Sequence, residues 1–143
     1  MTKETVSFKQ TCPTIDFSFE LINENKSYFP DTLLIKVTGK YRDGSLGDDD
    51  AKLIKGTMST AVDIWQPETV LLDLSDFQYD WGDYIDYIFD SPDEKRPFAI
   101  VVGPKCRHAL SLLVHGLDTN KDIVDNVIFF DNINQAIVKL KSK

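Results

Sequence analysis

Two short, nearly continuous apolar runs, Thr69-Val70-Leu71-Leu72-Asp73-Leu74 and Pro97-Phe98-Ala99-Ile100-Val101-Val102, constrain this chain more than any other feature. Each is too short for an ordinary helix and shows no polar alternation, so each reads as a strand buried on both faces. Strands of that kind sit in a parallel sheet, and parallel neighbours need a long crossover, usually a helix, to return the chain to the same edge. The segments around these two runs read as such crossovers.

Between Asp48 and Gln66 the apolar residues Ala51, Ile54, Met58, Ala61 or Val62, and Trp65 recur at steps of three and four, which predicts an amphipathic helix ended by Gln66-Pro67. Asp48, Asp49 and Asp50 stand at its start, where carboxylates cap free amides and favour the macrodipole; a magnesium site is the alternative. A second helix is expected from Gly82 to Ser91-Pro92, with Trp81, Tyr84 or Ile85, and Ile88 or Phe89 on one face. After Gly103-Pro104 a third helix would bury Ala109, Leu112 or Leu113, and Leu117. Asn126-Val127-Ile128-Phe129-Phe130 reads as the last strand. Asp131 or Asn132 then caps a final helix burying Ile133, Ala136, Ile137 and Leu140, with Lys139, Lys141 and Lys143 complementing its C-terminal dipole.

The opening third is different. Ile15, Phe17, Phe19 and Leu21 alternate with Asp16, Ser18 and Glu20, the period of a strand with one wet face. Leu33-Leu34-Ile35-Lys36-Val37-Thr38-Gly39 follows a polar turn and reads as its antiparallel partner. The expected fold is therefore a single α/β domain, residues 1–143, with a mixed sheet of about five strands in the element order β-β-α-β-α-β-α-β-α. The polar stretch Asp118-Thr119-Asn120-Lys121-Asp122 is a loop, too short for an interdomain linker.

Charge narrows the partners. The chain carries 23 acidic against 16 basic residues, a formal charge of −7, which repels phosphate backbones and anionic lipid, so neither nucleic acid nor a membrane surface is expected. The purely apolar runs are four or five residues long and the N-terminus lacks a signal-peptide core, which predicts neither secretion nor membrane spanning. Cys12 and Cys106 are far apart and form no Cys-x-x-Cys pair, which suits reduced thiols in a cytoplasm. His108 and His115 lack the spacing of a metal-binding helix, and Gly39, Gly44, Gly47 and Gly103 form no phosphate-cradling pattern, so no metal, nucleotide or other cofactor is indicated.

In an open parallel sheet, ligands and partners collect at the carboxyl ends of the strands. Three loops would meet there, residues 42–48, 76–83 and 103–108, bringing Asp80, Trp81, Asp83 and Tyr84 beside Lys105, Arg107 and His108. An aromatic rim with interspersed charge is what protein-binding hot spots use. Trp81 could equally enter the core as a staple ahead of the second helix, and the same choice stands for Tyr79, Tyr84 and Tyr87. Cys106, flanked by Lys105 and Arg107 and two residues from His108, has the neighbours that favour thiolate; burial is its other reading.

The element order, together with Val70-Leu71-Leu72-Asp73-Leu74-Ser75-Asp76-Phe77 leading through Tyr79-Asp80 to a helix, resembles the STAS family, the anti-sigma-factor-antagonist (SpoIIAA-like) domains, over residues 33–140. Asp73, Ser75 and Asp80 fit that family's pattern, and Phe129-Phe130-Asp131 before an alanine-containing helix looks like its final strand and helix. The resemblance implies a STAS-like mixed sheet and a non-enzymatic regulatory role through a protein partner. Where the family carries a phosphorylatable hydroxyl, this chain has Trp81-Gly82-Asp83. Two further functions are weighed: an acidic inhibitor or immunity-type protein that binds a basic target, and a thiol enzyme built on Cys106.

Overall fold

A computed structural model of the chain describes all residues except Thr119 and Lys143, so those members of the polar loop and basic tail lie outside the described residues. A short helix α1 (Phe8–Thr11) leads into the hairpin β1 (Ile15–Ile22) and β2 (Thr32–Lys40), followed by a 3₁₀ turn (Gly44–Leu46) and α2 (Gly47–Trp65). Next come β3 (Thr69–Leu74), the two-residue β4 (Phe77–Gln78), a second 3₁₀ turn (Ile85–Phe89) and β5 (Phe98–Val102). The chain then forms α3 (Arg107–His115), a third 3₁₀ turn (Ile123–Asp125), β6 (Phe129–Phe130) and α4 (Ile133–Lys141).

The fold is α/β with a mixed six-stranded sheet. Five strands follow the order β1-β2-β3-β5-β6, and β4 pairs with the far end of β2. Only β1 runs antiparallel, set by Ile15 opposite Gly39 and Leu21 opposite Leu33; the other pairings are parallel. Because β2, β3, β5 and β6 advance in one direction, right-handed crossovers must all fall on one face. That face holds the larger core, where Ile54 and Met58 of α2, Ile85 and Ile88, and Leu110 of α3 meet Leu33, Ile35, Val70, Leu72 and Ile100. The terminal α4 follows the last strand, so no crossover rule binds it, and it packs Ala136 and Leu140 on the opposite face against Leu71, Ala99 and Val101. β3 is buried at all six residues, Asp73 included, as its nearly continuous apolar run predicts.

Several expected elements take another form. The crossover between β3 and β5 is the 3₁₀ turn Ile85–Phe89 and not a full helix. Gly82-Asp83-Tyr84-Ile85-Asp86-Tyr87-Ile88-Phe89 contains no strong helix former, and Tyr84 adopts φ +68, which stops helical propagation before it starts. Ile85 and Ile88, three apart, are its buried pair, as three residues per turn demands. In α3 the buried residues are Leu110 and Ser111, while Leu113 and Leu117 of the expected stripe are 49% and 81% exposed. The helix is apolar on two sides, and Cys106 and Ser111 bind inward: the thiol lies 3.6 Å from the Leu74 carbonyl, and the Ser111 hydroxyl accepts from the Ile123 amide at 2.8 Å.

The last strand shrinks to Phe129–Phe130 because Asn126 closes the preceding 3₁₀ turn on Ile123 O, leaving Val127 exposed. On β1 only Ile15 is buried, Phe17 and Ile22 are half-buried, and Phe19 and Leu21 are exposed; of α2, Trp65 reaches this margin and meets the Phe19 ring. At the start of α2 the cap is Leu46, without a side-chain bond, and the carboxylates cap nothing. Asp50 is instead fully buried, accepting from the Arg42 amide at 2.9 Å and from the Arg42 guanidinium at 2.9 Å. The final helix follows expectation: Asn132 accepts from the Gln135 amide at 3.0 Å, Ala136 and Leu140 are buried, and Ile133 and Ile137 pack beside them.

Candidate functional site

β4 builds the carboxyl edge of the sheet. After β3 ends at Leu74, Phe77 and Gln78 pair with Gly39 and Lys40, carrying the chain sideways past the end of β2. Tyr79 is then buried, with its amide donating to Lys105 O at 3.2 Å, which ties this loop to the one before α3. The Asp83 amide donates to Gly44 O at 2.9 Å, and the Tyr41 hydroxyl donates to Asp83 O, which ties it to the loop after β2. All three loops therefore meet, as the sequence predicts.

Two glycines permit this convergence. A β-carbon at Gly82 would stand 2.6 Å from Arg42 O, and one at Gly103 would stand 2.0 Å from Ser75 O. Both clashes are with backbone, so neither loop could approach its neighbour with a larger residue. Burial raises the pKa of Tyr41, with the Asp50 charge adding to it, and raises that of Tyr79, so both phenols keep their protons and act as packing groups and donors.

Held this way, Trp81 projects to the surface with 60% of its area exposed and its ring lying over Gly44. Beside it opens a cleft of about 800 Å³ between residues 78–81 and α3. Ala109, Leu112, Leu113 and Leu117 form its apolar wall; Asp80, Lys105 and His108 supply polar groups at the rim. Asp80 accepts from Gln78 Nε2 at 3.1 Å and lies 3.8 Å from Lys40 Nζ.

Of the seven residues expected at this edge, Asp80, Trp81, Lys105 and His108 line one cleft. Asp83 and the exposed Tyr84 belong to the same loop but lie outside the cleft lining. Arg107 is turned toward the β6 margin of the sheet, clamped between Asp122 at 2.9 Å and Asp131 at 3.0 Å. It lines a neighbouring, smaller hollow that shares His108. Tyr87 is half-exposed, under the Lys55 ammonium at 5.5 Å.

In the sequence the apolar wall of α3 reads only as a helix stripe facing the core. A helix with apolar residues on two sides leaves one of them outside, and here Leu113 is left uncovered. Cys106, by contrast, is buried, and desolvation raises its pKa, opposite to what Lys105 and Arg107 as sequence neighbours predict. Burial pushes Cys12 up to about 11, with Asp50 adding to the effect. Among the described residues no group of three or more His, Cys, Asp or Glu side chains could hold a metal ion, and no helix is long and apolar enough to cross a membrane. No family model matches this sequence, and no curated protein matches it.

Proposed function

We propose that the chain is a STAS-like, non-enzymatic regulatory domain that binds a protein partner in the cleft between Trp81 and α3. Trp81 carries this reading. A large aromatic held 60% exposed by a loop tied to two others, beside an uncovered leucine wall, is the make-up of a binding hot spot. Placing that indole on a preformed loop lowers the ordering cost of association. The antiparallel leading strand, the parallel strands after it and the Asp73 carboxylate turning the chain at Ser75 (2.9 Å to its amide) support the STAS-like part. With Trp81-Gly82-Asp83 where that family carries its phosphorylatable hydroxyl, the family's serine or threonine switch has no acceptor at this position. A cytoplasmic setting fits two free, buried thiols.

The test is capture from the native host's lysate with wild type and Trp81→Ala, followed by titration of the captured protein in purified form. Loss of about 2 kcal/mol or more, roughly thirtyfold in Kd, with an unchanged unfolding midpoint supports the assignment. Equal affinity for both proteins refutes it. A second reading, an acidic inhibitor of a basic target, is favoured by the exposed carboxylates Asp80, Asp83 and Asp86 around Trp81. It requires an association rate that falls steeply with salt.

A further inference from the structure

β1 is the open margin of the sheet, paired on one side only. The Lys40 amide donates to Thr14 O at 3.2 Å in the same register that sets Asp16 opposite Thr38. In an antiparallel ladder hydrogen-bonded pairs alternate, so the even-numbered residues exchange bonds with β2 and the odd-numbered ones aim their amides and carbonyls outward. Ile15 already has partners there: its amide donates to Cys12 O at 3.5 Å and its carbonyl accepts from Lys9 Nζ at 3.4 Å. Phe17, Phe19 and Leu21 present the remaining outward groups.

The side chains of these residues lie on the helix side of the sheet, where Phe19 and Leu21 are 37% and 47% exposed. An open apolar groove of about 1020 Å³ runs beside them between β1, α1 and α2, walled by Phe8, Phe19, Leu53, Ile64 and Trp65. The Phe19 and Trp65 rings pack together in its wall, their centroids 5.4 Å apart. The other face of β1 carries exposed Asp16, Ser18 and Glu20.

We propose that β1 accepts an extended strand from another protein, in which apolar residues alternate with Lys or Arg. Its backbone completes the outward row of Phe17, Phe19 and Leu21. Its apolar side chains cover Phe19, Leu21 and the groove, and its cations meet Glu20 on the opposite face, where Asp16 is already held 2.8 Å from Lys9 Nζ. A second copy of this chain fits less well, because its own β1 offers Asp16, Ser18 and Glu20 and no cation to meet Glu20, and it brings together two chains of charge −7 each.

The probe is a ten-residue peptide alternating lysine and valine, with a glutamate–valine peptide and a lysine–valine peptide N-methylated at every second residue as comparators. In titrations of isotope-labelled protein, the lysine–valine peptide is expected to shift the amides of Phe17, Phe19 and Leu21, and both comparators to bind at least roughly tenfold more weakly. Leu21→Pro removes an outward amide without touching the β1–β2 ladder, and Glu20→Lys keeps the edge while reversing its charge. Both are expected to weaken the lysine–valine peptide, whereas Trp81→Ala leaves it unchanged, which separates this surface from the cleft. Shifts located elsewhere, indifference to N-methylation, or equal binding of the glutamate peptide would overturn the proposal. So would a concentration-dependent dimer abolished by Leu21→Pro, since a second copy would then be the occupant.

Discussion

Asp50→Ala tests how the loop after β2 is held. Asp50 is fully buried and accepts from the Arg42 amide at 2.9 Å, from Nε at 3.1 Å and from Nη2 at 2.9 Å, while the Arg42 side chain is 17% exposed. Removing the carboxylate leaves a guanidinium and an amide in a nearly water-free site, which costs about 3–5 kcal/mol for a buried pair broken on one side. In a domain of this size that lowers the melting temperature by roughly 10–20 °C. Arg42→Met/Asp50→Leu removes both charges at once and is expected to stay within about 2 kcal/mol of wild type, because the pair itself gains little over apolar packing. Calorimetry on the single and double variants decides the matter. A loss below about 1 kcal/mol in Asp50→Ala, or a double variant as unstable as the single, would refute the assignment of Asp50 and Arg42 as an obligatory buried pair. The consequence reaches the cleft, since the loop held by Arg42 contains Gly44, on which Trp81 rests and to which Asp83 donates.

Two other outcomes follow from the ionisable groups. The hydrogen bond and charge of Arg107 hold the Asp122 carboxyl below its ordinary value of 3.8, so the pair stabilises the fold above that pH and the contribution is lost as pH falls through the lower folded-state value. With both side chains more than a third exposed, the stability difference between wild type and Asp122→Asn should be only about 0.5 kcal/mol at neutral pH and vanish on acidification below pH 3.8, as read from urea melts. Burial raises the pKa of Cys106, and its thiol lies 3.6 Å from Leu74 O, so a thiol reagent at neutral pH should label it only at the rate of unfolding. Rapid labelling of native Cys106 would return weight to the thiol-enzyme reading.

The expected partner edge illustrates how far local pattern reaches. Convergence of the three loops followed from strand order alone, because parallel strands deliver all their carboxyl ends to one side. The choice between core and surface for Trp81 did not, since an indole after a strand suits either place until Gly82 and Gly44 are seen packed against neighbouring loops. Likewise the 3/4 spacing in α3 was correct as a helix period, yet two apolar stripes satisfied it and only the sheet beneath selected Leu110 over Leu113.

From the residues alone came β3 and β5, the β1–β2 hairpin, α2 ending at Gln66-Pro67, and α4 with a cap at Asp131 or Asn132, because period, propensity and capping act between near neighbours in the chain. The tertiary structure decided the rest. It buried Asp50 against Arg42, reduced the second crossover to a 3₁₀ turn, and left Phe19 and Leu21 uncovered on β1. Each depends on what a segment meets across space. One-handed crossovers put the connecting elements on one face of the sheet, and the β1 margin and the outer side of α3 stayed uncovered.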